Sequence, residues 1–286
     1  MKLARLLPKS LRPKSMRDEG PLIPVVRMQG AIMAGSSPLR PMLSLATVAP
    51  LLEKAFAIKA PAVAIAVNSP GGSPVQSRLI FQRVRDLAAE KEREVIVFTE
   101  DVAASGGYMI ACAGDRIVAD PSSIVGSIGV ISASFGFTEA IGKIGVERRV
   151  FTAGENKSTL DPFLPVDESD VAHLKDLQLD VHRVFIDLVK RARGDRLGDH
   201  PDLFTGRFWA GEKAKELGLV DEIGDLRSYL RGRFGEKVRL RAIAPQRGLF
   251  GRRTSAPGIA AFVGAGAAEA ALEAAVERLQ WSRYGL

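Results

Sequence analysis

Pro61-Ala62-Val63-Ala64-Ile65-Ala66-Val67 is an unbroken apolar run of strand length, and Asn68-Ser69-Pro70-Gly71-Gly72 follows it without a spacer. A half-buried strand alternates apolar and polar residues. A run that is apolar at every position suits a strand covered on both faces, as in a parallel sheet flanked by helices. Upstream, Leu22 to Met33 reads as a strand or hairpin start, and Ser44 to Ala57 as a helix capped by its serine. Downstream, a helix is expected over Val75 to Lys91, a strand over Glu94 to Phe98, a helix over Ser105 to Ala113 and a strand over Arg116 to Ala119. A helix over Phe137 to Gly145 and a strand over Glu147 to Thr152 continue the order. Such alternation predicts an α/β fold with mostly parallel strands joined by right-handed crossovers.

The remainder is helical in pattern. Asp167 to Arg193 forms a long helix with apolar positions at Val171, Leu174, Leu177, Val181, Val184, Phe185 and Leu188. A short helix begins at Glu212, and Val238 to Ile243 supplies a last strand. The segmentation is therefore a basic N-terminal stretch over 1–20, a main domain over 21–244, a Gly/Arg/Pro/Ser linker over 245–258 and an appended amphipathic helix over 259–286.

Of the 286 residues, 46% are hydrophobic and 6% aromatic, ordinary values for a globular chain able to bury a sizeable core. The single cysteine, Cys112, excludes an internal disulfide framework and sits in an apolar run, where it reads as inert core. The net charge of +7 is concentrated at Lys2, Arg5, Lys9, Arg12, Lys14 and Arg17 and again between Arg231 and Arg253. Solvated tails and attachment to anionic lipid both suit these ends, and no nucleic-acid partner is expected, since no recognition-helix, zinc-finger or aromatic RNA-binding signature accompanies them. No stretch reaches the ~18–20 apolar residues that span a bilayer, and Met1 to Arg17 lacks the apolar centre of a secretory signal. The expectation is a cytoplasmic protein, with peripheral contact on the inner face of the membrane left open.

Chemistry concentrates where strand-like runs end. In Asn68-Ser69-Pro70-Gly71-Gly72 the two glycines permit positive φ and leave backbone N–H groups free to face a developing oxyanion, although a plain turn has the same composition. In Asp101-Val102-Ala103-Ala104-Ser105-Gly106-Gly107-Tyr108, small residues surround a serine at a helix start. That is the setting of an accessible nucleophile and equally of an ordinary N-cap. A serine hydroxyl needs a base. His173, His182 and His200 lie within or just beyond the long helix, away from these segments, and read as surface or helix residues with no metal-ligand spacing. Phe151-Thr152-Ala153-Gly154-Glu155-Asn156-Lys157-Ser158 offers a lysine in a loop. Its pKa would have to fall from about 10.4 to roughly 7–8 by desolvation for it to act as a base.

Taken together, the segments resemble the signal peptide peptidase A (protease IV) family, which carries an Asn-Ser/Thr-Pro-Gly-Gly turn, an Ala-Ser-Gly-Gly-Tyr nucleophile segment and a Gly-x-x-Lys-Ser lysine segment. The match runs from about Val25 to Leu230; Gly72 lies 33 residues before Ser105 and Lys157 lies 52 after it. The resemblance implies Ser105 as nucleophile, Lys157 as general base, and the N–H groups of Gly72 and Gly106 as the oxyanion hole. Val125 to Val130 matches a further family segment, so Ser127 would orient the lysine, and Asp161-Pro162-Phe163 also fits the pattern. It implies a crotonase/Clp protease-like spiral of ββα units plus appended helices, a homo-oligomer, no cofactor or metal, and cleavage of hydrophobic peptides such as remnant signal peptides through an acyl-enzyme. Members commonly carry an N-terminal transmembrane helix, where this chain has only its basic leucine-containing segment. A crotonase-type acyl-CoA enzyme and a non-catalytic membrane-associated scaffold of the same fold are the alternatives.

Overall fold

The computed structural model describes residues 20–34, 42–244, 275 and 278–285. The expected basic segment 1–20 (except Gly20), the linker 245–258 and most of the helix over 259–286 lie outside the described residues. Among the described residues no helix is long and apolar enough to cross a membrane.

Strands β1 (Leu22–Gln29), β2 (Ala62–Ser69), β3 (Glu94–Ala104), β5 (Ile124–Gly126), β6 (Phe208–Ala210) and β8 (Arg239–Ala242) lie in the order β6-β5-β3-β2-β1-β8. Strand β4 (Arg116–Ala119) pairs with β3 and with β7 (Glu222–Ile223). The described pairings are parallel apart from β5 with β6. Helices α1 (Leu45–Phe56), α2 (Pro74–Lys91), α3 (Gly106–Ala111), α4 (Thr138–Lys143), α5 (Glu168–Arg193), α6 (Gly211–Glu216) and α7 (Leu226–Phe234) provide the crossovers and flanks. This is the α/β, mostly parallel architecture the alternation predicts.

Strand β2 explains why its sequence does not alternate. All eight of its residues are buried. Val63, Ile65 and Val67 enter the main core beside α1, α2 and α3, while Ala62 and Ala64 face a second core closed by Leu230 of α7. Larger side chains meet the thicker helical layer and alanines let α7 come close. Helix α1 begins as expected: Ser44 Oγ accepts the Thr47 N–H at 3.4 Å and Thr47 Oγ1 accepts the Ser44 N–H at 3.0 Å, a reciprocal cap.

Strand β3 runs to Ala104, beyond the Phe98 expected. Ile96 to Thr99 pair with β4 and Val102 to Ala104 with β5, so one long strand passes from one neighbour to another. Between these stretches the pairing with β2 shifts register, and the Asn68 side chain fills the break. Its Oδ1 accepts the Val102 N–H at 3.2 Å and its Nδ2 donates to Asp101 Oδ2 at 2.5 Å.

One expectation fails. Glu147 to Thr152 is not a strand: among the described residues the segment pairs with no strand, and from Glu147 to Phe151 all but the half-buried Val150 are exposed. Aromatic residues on either side of it form a small local cluster with its Arg148 instead. Phe135, Phe137 and Phe163 stack with ring centroids 6.4 and 5.6 Å apart, and Arg148 covers Phe163 while pairing with Asp161 at 2.8 Å.

Candidate active site

Strands β2 and β3 end side by side, which brings the glycine turn against the segment that carries Ser105. Gly71 adopts φ +103, and a Cβ there would lie 2.7 Å from Ser105 Cβ and 2.9 Å from Gly106 N. Only glycine permits that approach. Ser105 itself sits at φ 53, ψ −122, a sparsely populated conformation for a residue with a side chain. Its N–H is fixed on Gly126 O at 2.8 Å and its carbonyl receives the Met109 N–H at 3.0 Å. Its hydroxyl does not cap α3. The strained turn delivers the side chain to an open cleft of about 870 Å³ lined by Ser105, Gly72, Gly106, Ser127, Met109 and His182 among others.

The oxyanion-hole candidates are available. The bridge between Ile32 and Gly72 uses the N–H groups of Ile32 and Ser73, leaving that of Gly72 out. Among the described residues neither the Gly72 nor the Gly106 N–H donates a hydrogen bond. Two unengaged amide donors at one cleft beside a serine can accept the charge that develops on an attacked carbonyl oxygen. Ser127, buried and also at positive φ, is fixed through its N–H on Arg207 O at 2.7 Å, and its hydroxyl faces the same cleft.

Lys157 is not brought to this group. It is exposed, does not line the cleft, and its ammonium makes no ion pair or hydrogen bond among the described residues. Four of the five sequence-picked residues thus converge, and the fifth lies on an exposed loop. His182 is the converse case. The sequence suggests a residue remote from the motifs, yet it lines the cleft wall with Val181 and Phe185, and its Nε2 lies 3.1 Å from Ile128 O. Because a carbonyl can only accept, Nε2 carries the proton. Its place on the cleft-facing stripe of α5 was the available signal.

The platform beneath α3 is rigid and charged inside. Tyr108 donates its hydroxyl to Leu219 O at 2.8 Å, on the loop that carries Asp221. Arg193, 2% exposed, gives Asp221 two hydrogen bonds of 3.0 and 2.8 Å and Gly218 O a third of 2.9 Å. Burial alone would raise the Asp221 carboxyl, but the Arg193 hydrogen bonds and charge outweigh it and hold it below its usual range. Burial pushes the Tyr108 phenol well above its usual value and the Cys112 thiol up to about 12, so Cys112 is core and no nucleophile. Among the described residues no His/Cys/Asp/Glu group could hold a metal ion.

A family model described as peptidase family S49 matches residues 88–233, just over half the chain and the part that holds Ser105, Ser127 and Lys157. The chain belongs to peptidase family S49. Protease 4 of Haemophilus influenzae is 35% identical over 71% of this chain and 32% of its own length. The serine protease SPPA, chloroplastic, of Arabidopsis thaliana is 30% identical over 71% of this chain and 31% of its own length. A Brucella abortus protein called Na(+)/H(+) antiporter NhaA is 59% identical over 97% of this chain, which spans only 39% of that protein. The S49 match gives the family, and the antiport in the last name is that of a much longer protein.

Proposed function

We propose that this S49 chain is a serine endopeptidase acting on hydrophobic peptides such as remnant signal peptides, with Ser105 as nucleophile and Lys157 as general base supplied by a second copy of the chain. The observation that carries this reading is Ser105: a strained, uncapped hydroxyl facing a cleft beside two unengaged N–H groups. In the mechanism, neutral Lys157 takes the Ser105 proton as Oγ bonds to the scissile carbonyl carbon, and the oxyanion is held by the Gly72 and Gly106 N–H groups. The ammonium then protonates the departing amine as the C–N bond breaks, leaving an ester on Ser105. Water, deprotonated by the same lysine, attacks the ester and releases the acid, and the proton returns to Ser105. Ser127 would orient the ammonium at the cleft.

A homo-oligomer with the lysine acting in trans is supported from two sides. Lys157 is exposed and away from the cleft of its own chain. The segment around it also leaves large apolar residues in water, including Ile131, Phe135, Ile144, Phe151 and Val166, at 65, 75, 74, 92 and 71% exposure. Large apolar side chains left in water in this number suit a surface that a second copy covers. The test mixes Ser105→Ala chains with Lys157→Ala chains, each inert alone, and measures peptide hydrolysis and labelling by a fluorophosphonate. Random assembly pairs an intact serine with an intact lysine in about one quarter of sites, so about a quarter of wild-type activity should return. No recovery after subunit exchange refutes the trans lysine. Failure of wild type to label at Ser105 refutes the peptidase and favours the acyl-CoA or scaffold reading.

A further inference from the structure

The glycine turn meets Ser105 because β2 and β3 slip past each other just before the site. Val67 lies opposite Thr99 but Ser69 lies opposite Ala103, so β3 advances four residues while β2 advances two. Had the ladder run on evenly, Gly71 would stand beside Ala103. With the slip it stands beside Ser105, where a Cβ on Gly71 would lie 2.7 Å from the serine Cβ. Two residues of strand are about 6.6 Å, so the slip decides whether the oxyanion donors and the hydroxyl share one place at all. A two-residue slip also leaves every side chain on its own face of the sheet. The apolar pattern of β2 and β3 therefore suits both registers, and polar groups at the break have to choose between them.

Asn68 occupies that break. It is buried, and its main chain is already engaged on the β1 side, where its carbonyl accepts the Gly30 N–H at 3.0 Å. Toward β3 its side chain stands in for a peptide group: Oδ1 accepts the Val102 N–H at 3.2 Å and Nδ2 donates to Asp101 Oδ2 at 2.5 Å. An amide N–H only donates and a carboxylate only accepts, so the two partners fix which way the carboxamide points. On the opposite edge of β3, where its pairing passes from β4 to β5, the buried Ser123 hydroxyl reaches the Thr99 and Glu100 carbonyls at 3.1 and 2.6 Å. The surplus residues of β3 are thus held from both sides.

We propose that Asn68 and Asp101 are positioning residues of the reaction: the pair locks β2 and β3 in the slipped register and so sets the Gly72 and Gly106 N–H groups around the Ser105 hydroxyl. This role rests on the reading of Ser105 as the nucleophile. Neither residue lines the cleft, so both act through the backbone they hold and not on the peptide. Asn68 opens the glycine turn and Asp101 lies four residues before Ser105, so one contact ties together the two segments that carry the chemistry.

Full-length variants test this through fluorophosphonate labelling of Ser105, kcat and KM for a hydrophobic peptide, and backbone hydrogen exchange over 99–106. Asn68→Asp keeps an acceptor for the Val102 N–H but sets carboxylate against carboxylate. Labelling and kcat should fall about 10²-fold at unchanged KM, the scale of a misplacement of about 1 Å, and exchange should quicken by about tenfold. Asp101→Asn keeps an acceptor for the carboxamide and should stay within about threefold of wild type. The exchanged pair, Asn68→Asp with Asp101→Asn, again sets a donor against an acceptor and should recover about tenfold or more of the lost rate. Should Asn68→Asp fail to fold, Asp101→Ala at the exposed partner takes its place, with labelling slowed by about tenfold at unchanged KM. Labelling at the wild-type rate in Asn68→Asp or in Asp101→Ala, or no recovery in the exchanged pair, overturns the positioning role. Hydrogen exchange keeps the two readings apart: quickened exchange with unchanged labelling sinks the positioning role alone, and quickened exchange in a protein whose wild type takes no label sinks the nucleophile.

Discussion

Replacing Asp221 with alanine should be among the most damaging single changes in the domain. The carboxylate, 7% exposed, is bidentate on the Arg193 guanidinium, accepts the Ile117 N–H at 2.7 Å at the start of β4, and lies 3.3 Å from Arg196. Asp221→Ala leaves Arg193 buried with only Gly218 O for company and orphans the Ile117 N–H. Removing one partner of a buried pair costs about 3–5 kcal/mol. For a domain of this size each kcal/mol moves Tm by roughly 2–4 °C, so a fall of about 6–20 °C is expected in a calorimetric or fluorescence melt. The double change Arg193→Met with Asp221→Leu should recover most of it, since the same cavity is then filled without a charge. The pH dependence has a definite sign. The folded carboxyl titrates below its unfolded value, so the contribution of Asp221 is complete above about pH 4 and is lost as pH falls through the folded pKa. The wild-type Tm should drop across that acid window and the alanine variant should lack that component of the drop. A loss under about 1 kcal/mol, or a double variant no better than the single one, would refute the claim that this pair anchors the platform under Ser105.

Two further outcomes bear on the site. Gly71→Ala should push the turn off the Ser105 segment, because its Cβ would fall 2.7 Å from Ser105 Cβ at φ +103. Fluorophosphonate labelling should slow by about 10²-fold, the scale of losing an oxyanion donor, and an unchanged rate would separate the turn from the chemistry. His182→Gln can still donate to Ile128 O, and turnover should stay within about threefold of wild type. A loss of about 10²–10⁴-fold would make His182 the base in place of Lys157.

Local signals in the sequence were strong wherever one segment settles its own structure. The unbroken run in β2 required burial on both faces, Ser44 and Asp167 announced helix starts through side chains that accept amide protons, and the glycines at 71, 72 and 106 marked backbone that must come close. Convergence of Gly72, Ser105, Gly106 and Ser127 followed from motif order, because parallel strands joined by right-handed crossovers deliver their ends to one edge of the sheet.

What the sequence left undecided depends on pairings between distant segments. A three-residue strand such as β5 or β6 has no period to detect: β5 forms because Val102 to Ala104 of β3 lie beside it, and β6 because Trp209 lies opposite Val125. The Glu147 to Thr152 stretch is β-rich in composition yet has no strand beside it, so propensity alone misled. The sequence marked Ser105 and Lys157 as chemistry through residue type and surroundings, properties a chain carries with it. Their separation, the entry of His182 into the cleft wall and the slip of β3 against β2 at Asn68 belong to the tertiary structure, because only packing decides which distant surfaces meet.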